Sequence, residues 1–335
     1  MQPAAPRPSE DDLIARFFAP LATAAGADGL TDDAAVMPDG EGDLVVTKDM
    51  AVAGVHFFPD DPPGLIAAKA LRVNLSDLAA KGATPAGFLL GLGLPADWTT
   101  DFLAAFSEGL ARDIRTYGCP LYGGDTVKVP GPLTLSITAF GRAARTVRRR
   151  GAMPGDLICV TGTVGDGALG LAARTAERDP AQAPAWLAAL ALAHRRHLVD
   201  RYLAPRPRCA LAPAVSAFAS AAMDVSDGLV GDLAKMMRAS GMGAQVTLGD
   251  VPLSAAVQAA VAADPALLGR ALTGGDDYEI LLACPPGALA ALTEAATAAG
   301  VPLTAIGTVR DAGAVTWRDG DGQEVAFGTG RYEHF

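Results

Sequence analysis

The sequence predicts an α/β (α+β) protein of two domains, on three observations. Its 335 residues, 50% of them hydrophobic, suffice for two packed cores. Short apolar runs of strand length alternate with segments of helical period in two successive blocks. Between the blocks lies the basic run 142–150, followed by Gly151 and Pro154, which reads as a linker. The expected organisation is a mobile tail over residues 1–12, an N-terminal domain over 13–145 and a C-terminal α/β domain over 150–335. The tail is Pro-rich and acidic and lacks the basic start and apolar run of a signal peptide.

In the first block, residues 13–21 read as a short amphipathic helix, and 44–47 as an apolar strand running straight into Lys48 and Asp49. A helix over 65–81 places Ala70, Asn74, Asp77 and Lys81 on one face. A buried strand at 88–92 precedes a helix over 101–117 that Gly118 ends. Leu121 and Tyr122 lead into an expected turn at Gly123-Gly124, and residues 133–140 alternate as a half-buried strand. The second block reads as strand 157–161, a Gly-rich turn, helix 168–175, a polar loop 177–184, and helices 186–202 and 210–221. A short strand then enters Asp224, followed by helix 228–240 and strand 244–248. Strand 278–284, helix 289–299 and strand 303–309 complete the pattern.

The chemistry lies in six acidic motifs, each expected near the end of an element: Thr31-Asp32-Asp33, Thr47-Lys48-Asp49, Asn74-Leu75-Ser76-Asp77, Gly123-Gly124-Asp125-Thr126, Asp224-Val225-Ser226-Asp227-Gly228 and Gly274-Gly275-Asp276-Asp277-Tyr278-Glu279. One such Asp is an ordinary turn or cap residue. Carboxylates that converge need a cation, and oxygen donors select hard ions such as Mg²⁺, which complete their shell with water and phosphate. The net charge of −10 argues against nucleic acid as a partner. Asp77 is a poor residue for a helix interior; the plain alternative is an (i, i+4) pair with Lys81.

Other chemistries find less support. Cys119, Cys159, Cys209 and Cys284 are scattered and form no CxxC, which fits neither zinc nor redox pairing and fits a reducing cytoplasm. The apolar stretch 209–223 is short and carries Pro213, so it reads as a buried helix and no membrane span is expected. Gly165-Asp166-Gly167-Ala168-Leu169-Gly170 spells GxGxxG, yet the strand with a terminal acid that a dinucleotide fold needs next is missing. There is no GxxxxGK[ST] and no Ser/His/Asp or Cys/His arrangement, and His194 and His197 are expected on an exposed helix face. A non-catalytic metal or nucleotide sensor stays open as a competing class.

Taken together, DDAAV (32–36), DMAVAGVHF (49–57), KALRVNLSDLAAKGATP (69–85), GGDT (123–126), RRGAMPGD (149–156), TGTVGDGALGL (161–171), DVSDGL (224–229), GGDDYE (274–279) and GRYEHF (330–335) resemble the thiamine-monophosphate kinase family of the aminoimidazole-ribonucleotide synthetase-like superfamily. The GxGxxG look-alike is part of that pattern. The resemblance implies a two-domain fold whose N-terminal domains pair through their sheets as a homodimer, with ATP sites near the interface. It implies ATP-dependent phosphorylation of thiamine monophosphate, with several Mg²⁺ ions. It implies metal ligands at Asp33, Thr47, Asp49, Asp77, Asp125, Asp224 and Asp227, ATP contacts at Gly124, Asp125, Arg149 and Ser226, and thiamine contacts at His56, Asp276 and Tyr332. No general base is implied. Asp49, Asp77 and Asp125 are expected in one metal cluster. Three positions depart from the pattern: Thr31 replaces a usual Gly, Lys48 a usual small hydroxyl residue, and Asp276 a usual Glu. The Lys48 change is expected to remove a hydroxyl ligand and add a cation. The absence of an early cysteine argues against a selenophosphate synthetase, and the ending Tyr332-Glu333-His334-Phe335 against a hydrogenase-maturation relative with a Cys-containing tail.

Overall fold

A computed structural model describes residues 9–31 and 34–327. The chain forms two compact units, one built from residues 1–78 and 85–142 and the other from 79–84 and 143–335.

The first unit opens with a helical turn α1 (Glu10–Leu13), a π-helical turn Ile14–Phe18 and a 3-10 turn Ala19–Leu21, in place of the single regular helix expected. Pro20 accounts for the last change, because proline cannot donate the next helical hydrogen bond. The body comprises β1 (Asp43–Val52), α2 (Pro63–Ala80), β2 (Thr84–Leu94), α3 (Thr100–Tyr117), β3 (Leu121–Lys128) and β4 (Thr134–Ala143). The four strands form one sheet in the order β1-β4-β2-β3. Both helices carry long apolar faces, with Leu71, Leu75, Leu78, Leu103, Phe106 and Leu110 fully buried. Arg72 ties the two together through Asp113, at 2.7 and 2.8 Å from its carboxylate oxygens. Thr99 caps α3 at its start and Gly118, with φ +62°, ends it as expected.

Leu44, Val46 and Met50 of β1, and Val127 of β3, remain roughly half exposed. Their shared spacing of two puts the β1 residues on one face of the sheet, away from the helices.

The second unit contains β5 (Leu157–Thr161), α4 (Asp166–Arg178), α5 (Ala185–Ala189), α6 (Leu192–Leu203), α7 (Ala212–Phe218), β6 (Ala221–Asp224), α8 (Leu229–Ser240), β7 (Gly243–Thr247), α9 (Ala255–Ala263), α10 (Leu267–Thr273), β8 (Ile280–Cys284), α11 (Leu289–Ala298), β9 (Leu303–Arg310) and β10 (Val315–Arg318). Its six strands run in the order β10-β7-β9-β5-β8-β6. The central strand β5 pairs antiparallel with both neighbours, β8 and β9. A doubly wound dinucleotide fold has parallel strands there, so the sheet itself excludes that reading. Alternate residues of β5 feed two cores: Ile158 and Val160 meet Leu229, Leu233 and Met236 of α8, while Cys159 packs with Val215 of α7 and Leu292 of α11. A third cluster joins α4, α5, α6 and α9 around Leu169, Trp186, Leu198 and Val257. The expected helix 186–202 is broken between Ala189 and Leu192, where Leu190 and Ala191 are extended.

Candidate active site

In the first unit the site grows from the pleat of β1. Residues two apart point to one side, so Thr47 and Asp49 share a face and Lys48 takes the other. Thr47 Oγ1 donates to Asp77 Oδ2 at 2.5 Å, bringing α2 onto the strand. Burial, and secondarily the Asp77 charge, push Asp49 up from 3.8 to about 6. Two carboxylates and a hydroxyl therefore converge between β1 and α2. The Lys48 ammonium instead donates to Ser136 on the opposite face. The added cation at Lys48 thus points away from Asp49 and Asp77, and the hydroxyl beside Asp77 is that of Thr47. The expected Asp77–Lys81 pair is also replaced, since Lys81 donates to the Ala222 carbonyl at 2.6 Å within the second unit.

Asp49 and Asp77 are joined on β1 and α2, but Asp125 does not join them within the chain. It lies on β3, at the other edge of the sheet from β1. It also faces the uncovered side: Asp125 registers with Gly91, and a Cβ on Gly91 would meet Ser136. The expected turn at Gly123-Gly124 is in fact the middle of β3. Glycine is required there by contact, since a Cβ on Gly124 would stand 1.8 Å from the Leu90 carbonyl oxygen. His56 closes the turn after β1, its Nδ1 accepting the Val52 N–H at 3.1 Å, which leaves the proton of the neutral ring on Nε2.

In the second unit, two of the motifs are laced together by backbone. Val225 N–H donates to the Glu279 carbonyl, Tyr278 N–H to Val225 and Asp276 N–H to Ser226, at 2.8, 2.8 and 2.9 Å. Ser226 and Asp227 thus lie beside Gly275-Asp276, while Asp224, buried at the end of β6, pairs with Ile280. Asp276 and Tyr278 both hold positive φ, +70° and +53°, a conformation that costs non-glycine residues about 1–3 kcal/mol. The Tyr278 hydroxyl donates to Asp276 Oδ1 at 3.1 Å and fixes the acid's direction.

Residues without an assigned role in the sequence reading hold these loops. Asp277 is buried, and its carboxylate accepts the N–H groups of Gly165 and Gly167 at 2.7 and 2.9 Å. Burial drives it well above the usual carboxylate range. The amides that a dinucleotide pyrophosphate would use at the start of α4 are therefore already taken. Glu279, fully buried, is gripped by Arg208 at 2.5 and 2.7 Å and by Arg201 at 3.0 Å. Asp232, also fully buried, accepts the N–H groups of Ser226 and Asp227 at 3.0 and 2.9 Å. Lys235 bridges Asp227 and Asp232. Asp232 stands five residues after Asp227, close enough that a search for acids on the following helix would have found it. His197, expected on an exposed helix face, lies on α6 with its ring 3.0 Å from Asp166. Burial raises Asp166, but hydrogen bonds from His197, Ser254 and Thr163 outweigh it and hold the acid below the usual range.

Arg149 is exposed in the second unit. Asp33 and Tyr332 lie outside the described residues. Among the described residues, no three His, Cys, Asp or Glu side chains gather as a metal site, and no helix is long and apolar enough to cross a membrane.

Comparison with known proteins agrees with this architecture. The AIR synthase related protein N-terminal domain matches residues 31–143, and the corresponding C-terminal domain residues 153–319. The chain is 44% identical over 312 residues to a thiamine-monophosphate kinase of Caulobacter vibrioides, covering 91% of this chain and 85% of that one. A crystal structure of thiamine-monophosphate kinase from Stenotrophomonas maltophilia K279a is 38% identical and superposes with a TM-score of 0.77, covering 88% and 91% of the two chains. AaThiL complexed with AMPPCP and TMP superposes at 0.76 with 29% identity, covering 91% of each chain. The two-domain fold, the order of the acidic motifs and these matches place the chain in the thiamine-monophosphate kinase family of AIR synthase related proteins.

Proposed function

We propose that this protein is an ATP-dependent kinase that phosphorylates thiamine monophosphate to thiamine diphosphate, a transferase of thiamine biosynthesis. The observation that carries the reading is the likeness across both domains to thiamine-monophosphate kinases, one of them solved with AMPPCP and TMP. The acceptor is a phosphate oxygen, already ionised at neutral pH, so the chain needs no general base. What it must supply is in-line alignment of two anions.

Mg²⁺ fits the donors present. Thr47, Asp49 and Asp77 offer hard oxygens that β1 and α2 bring together. Asp125, Asp224 and Asp227 are further ligands by motif, together with Asp33. Bound there, Mg²⁺ supplies charge neutralisation between donor and acceptor phosphates. By motif, Gly124, Asp125, Ser226 and the exposed Arg149 are the contacts for ATP. His56, Asp276 and Tyr332 hold the thiamine moiety, Asp276 matching its positive charge and Tyr332 its ring.

The protein acts as a homodimer through the uncovered face of its first unit, on which Leu44, Val46 and Met50 stand exposed. Asp125 lies on that face, which supports ATP sites near the interface. The four cysteines are free, in keeping with a cytoplasmic enzyme.

The test is ATP turnover with purified protein and Mg²⁺. Thiamine monophosphate should stimulate ATP consumption and free thiamine should not. Equal stimulation by both would remove the phosphate-acceptor reading, and none by either would favour a sensor.

A further inference from the structure

We propose that Lys235 is a built-in counter-cation: it holds the Asp227 carboxylate in the metal-free protein, and a divalent cation must displace it to use that carboxylate. The proposal rests on the reading of Asp227 as a metal ligand.

The geometry separates a fixed acid from a free one. The Lys235 ammonium lies 2.5 Å from Asp227 Oδ2 and 2.9 Å from Asp232 Oδ1. Asp232 is committed on both oxygens, because Oδ2 takes the N–H groups of Ser226 and Asp227 while Oδ1 takes the ammonium. It is also fully buried and cannot turn to an ion in solvent. Asp227 has a side chain 39% exposed and can turn outward. Lys235 is anchored to Asp232 three residues before it on α8, so releasing Asp227 does not strand the ammonium without a carboxylate.

Two consequences follow from one ammonium shared by two acids. Before metal arrives, Lys235 screens the repulsion between Asp227 and Asp232 and keeps the Asp224–Gly228 loop in the conformation that Asp232 sets. When metal arrives, the same positive charge opposes it, so binding at this position is weaker than the carboxylates alone would give. Lys235 is thus a positioning residue that trades metal affinity for a preformed loop.

The experiment is calorimetric titration of the full-length protein with MgCl₂, without nucleotide, for wild type, Lys235→Met, Lys235→Gln, Lys235→Arg, Asp227→Asn and Asp227→Asn/Lys235→Met, with melting temperatures measured in EDTA. Lys235→Met and Lys235→Gln should bind Mg²⁺ about three- to fivefold tighter, the size of effect expected on losing a partly exposed ion pair. Both should melt lower in EDTA, and Lys235→Arg should stay near wild type. The gain in affinity should vanish in the Asp227→Asn background. If Asp227→Asn weakens Mg²⁺ binding while both neutral Lys235 variants leave it unchanged or weaker, the counter-cation role is overturned. If Asp227→Asn itself leaves Mg²⁺ binding unchanged, the ligand reading of Asp227 fails instead, and the proposal falls with it. If one neutral variant does not fold, the other decides.

Discussion

Asp49 and Asp77 face each other across β1 and α2 with Thr47 donating to Asp77, and the proximity of these two acids, added to burial, raises Asp49 to about 6. The metal-free protein therefore carries a repulsion that grows as Asp49 ionises. A carboxylate raised in the folded state binds more protons than in the unfolded state between its ordinary value and about 6. Its contribution to stability is thus lost as pH climbs through that window. Mg²⁺ should raise the melting temperature more at pH 7.5 than at pH 5. An equal shift at both pH values would mean that the pair is not where the ion binds.

Asp77→Asn should uncouple stability from turnover. Removing one charge relieves Asp49, so the variant should melt above wild type in EDTA. Its turnover should fall by roughly a hundredfold, as losing one electrostatic contact at a transferring phosphate does. Differential scanning fluorimetry and a coupled ATP assay on one preparation check both halves.

Asp125 stands at the opposite edge and on the opposite face of the sheet from Asp49. In the homodimer proposed above, a shared site would bring the β3 edge of one copy to the β1 edge of the other. Mixtures of Asp49→Asn and Asp125→Asn chains, refolded together, should then recover turnover that neither variant has alone. Recovery absent from a mixture shown to contain hybrid dimers would confine each site to one chain.

Asp276→Ala should weaken thiamine monophosphate binding by about 1–3 kcal/mol, the usual cost of a lost charged hydrogen bond, and leave KM for ATP nearly unchanged. Tyr278→Phe removes the hydroxyl that orients the acid and should move the same KM less. A lower melting temperature with both KM values intact would make Asp276 a residue of the turn alone.

The alternation of strands and helices is written locally in the sequence, and so are most elements. Helix Thr100–Tyr117 carries its cap, its amphipathic face and its terminal glycine within its own residues. The errors arise where partners decide. Gly123-Gly124 reads as a turn because glycine favours turns, but here the need is close approach to Leu90 inside a parallel pair. Helix Ala255–Ala263 is short and rich in Ala, Leu267–Thr273 is shorter still, and the place of both is set by packing against α4. In the site, side-chain direction at Thr47 and Lys48 follows from the two-residue period and could have been read once the strand was extended to Val52. Asp277 and Glu279 could not, since nothing in their neighbourhood announces Gly165, Gly167, Arg201 or Arg208, between 71 and 112 residues away.

The loop Gly274–Glu279 has few positions open to change. A Cβ on Gly274 would strike Ala168 at 2.5 Å and one on Gly275 the Ser226 carbonyl at 2.1 Å, while Asp277 and Glu279 are locked into buried networks. Only 276 and 278 carry side chains that are partly accessible. Within this loop, drift toward a different acceptor would therefore have to pass through those two positions. An engineer seeking altered selectivity would do well to randomise them jointly and leave the surrounding four untouched.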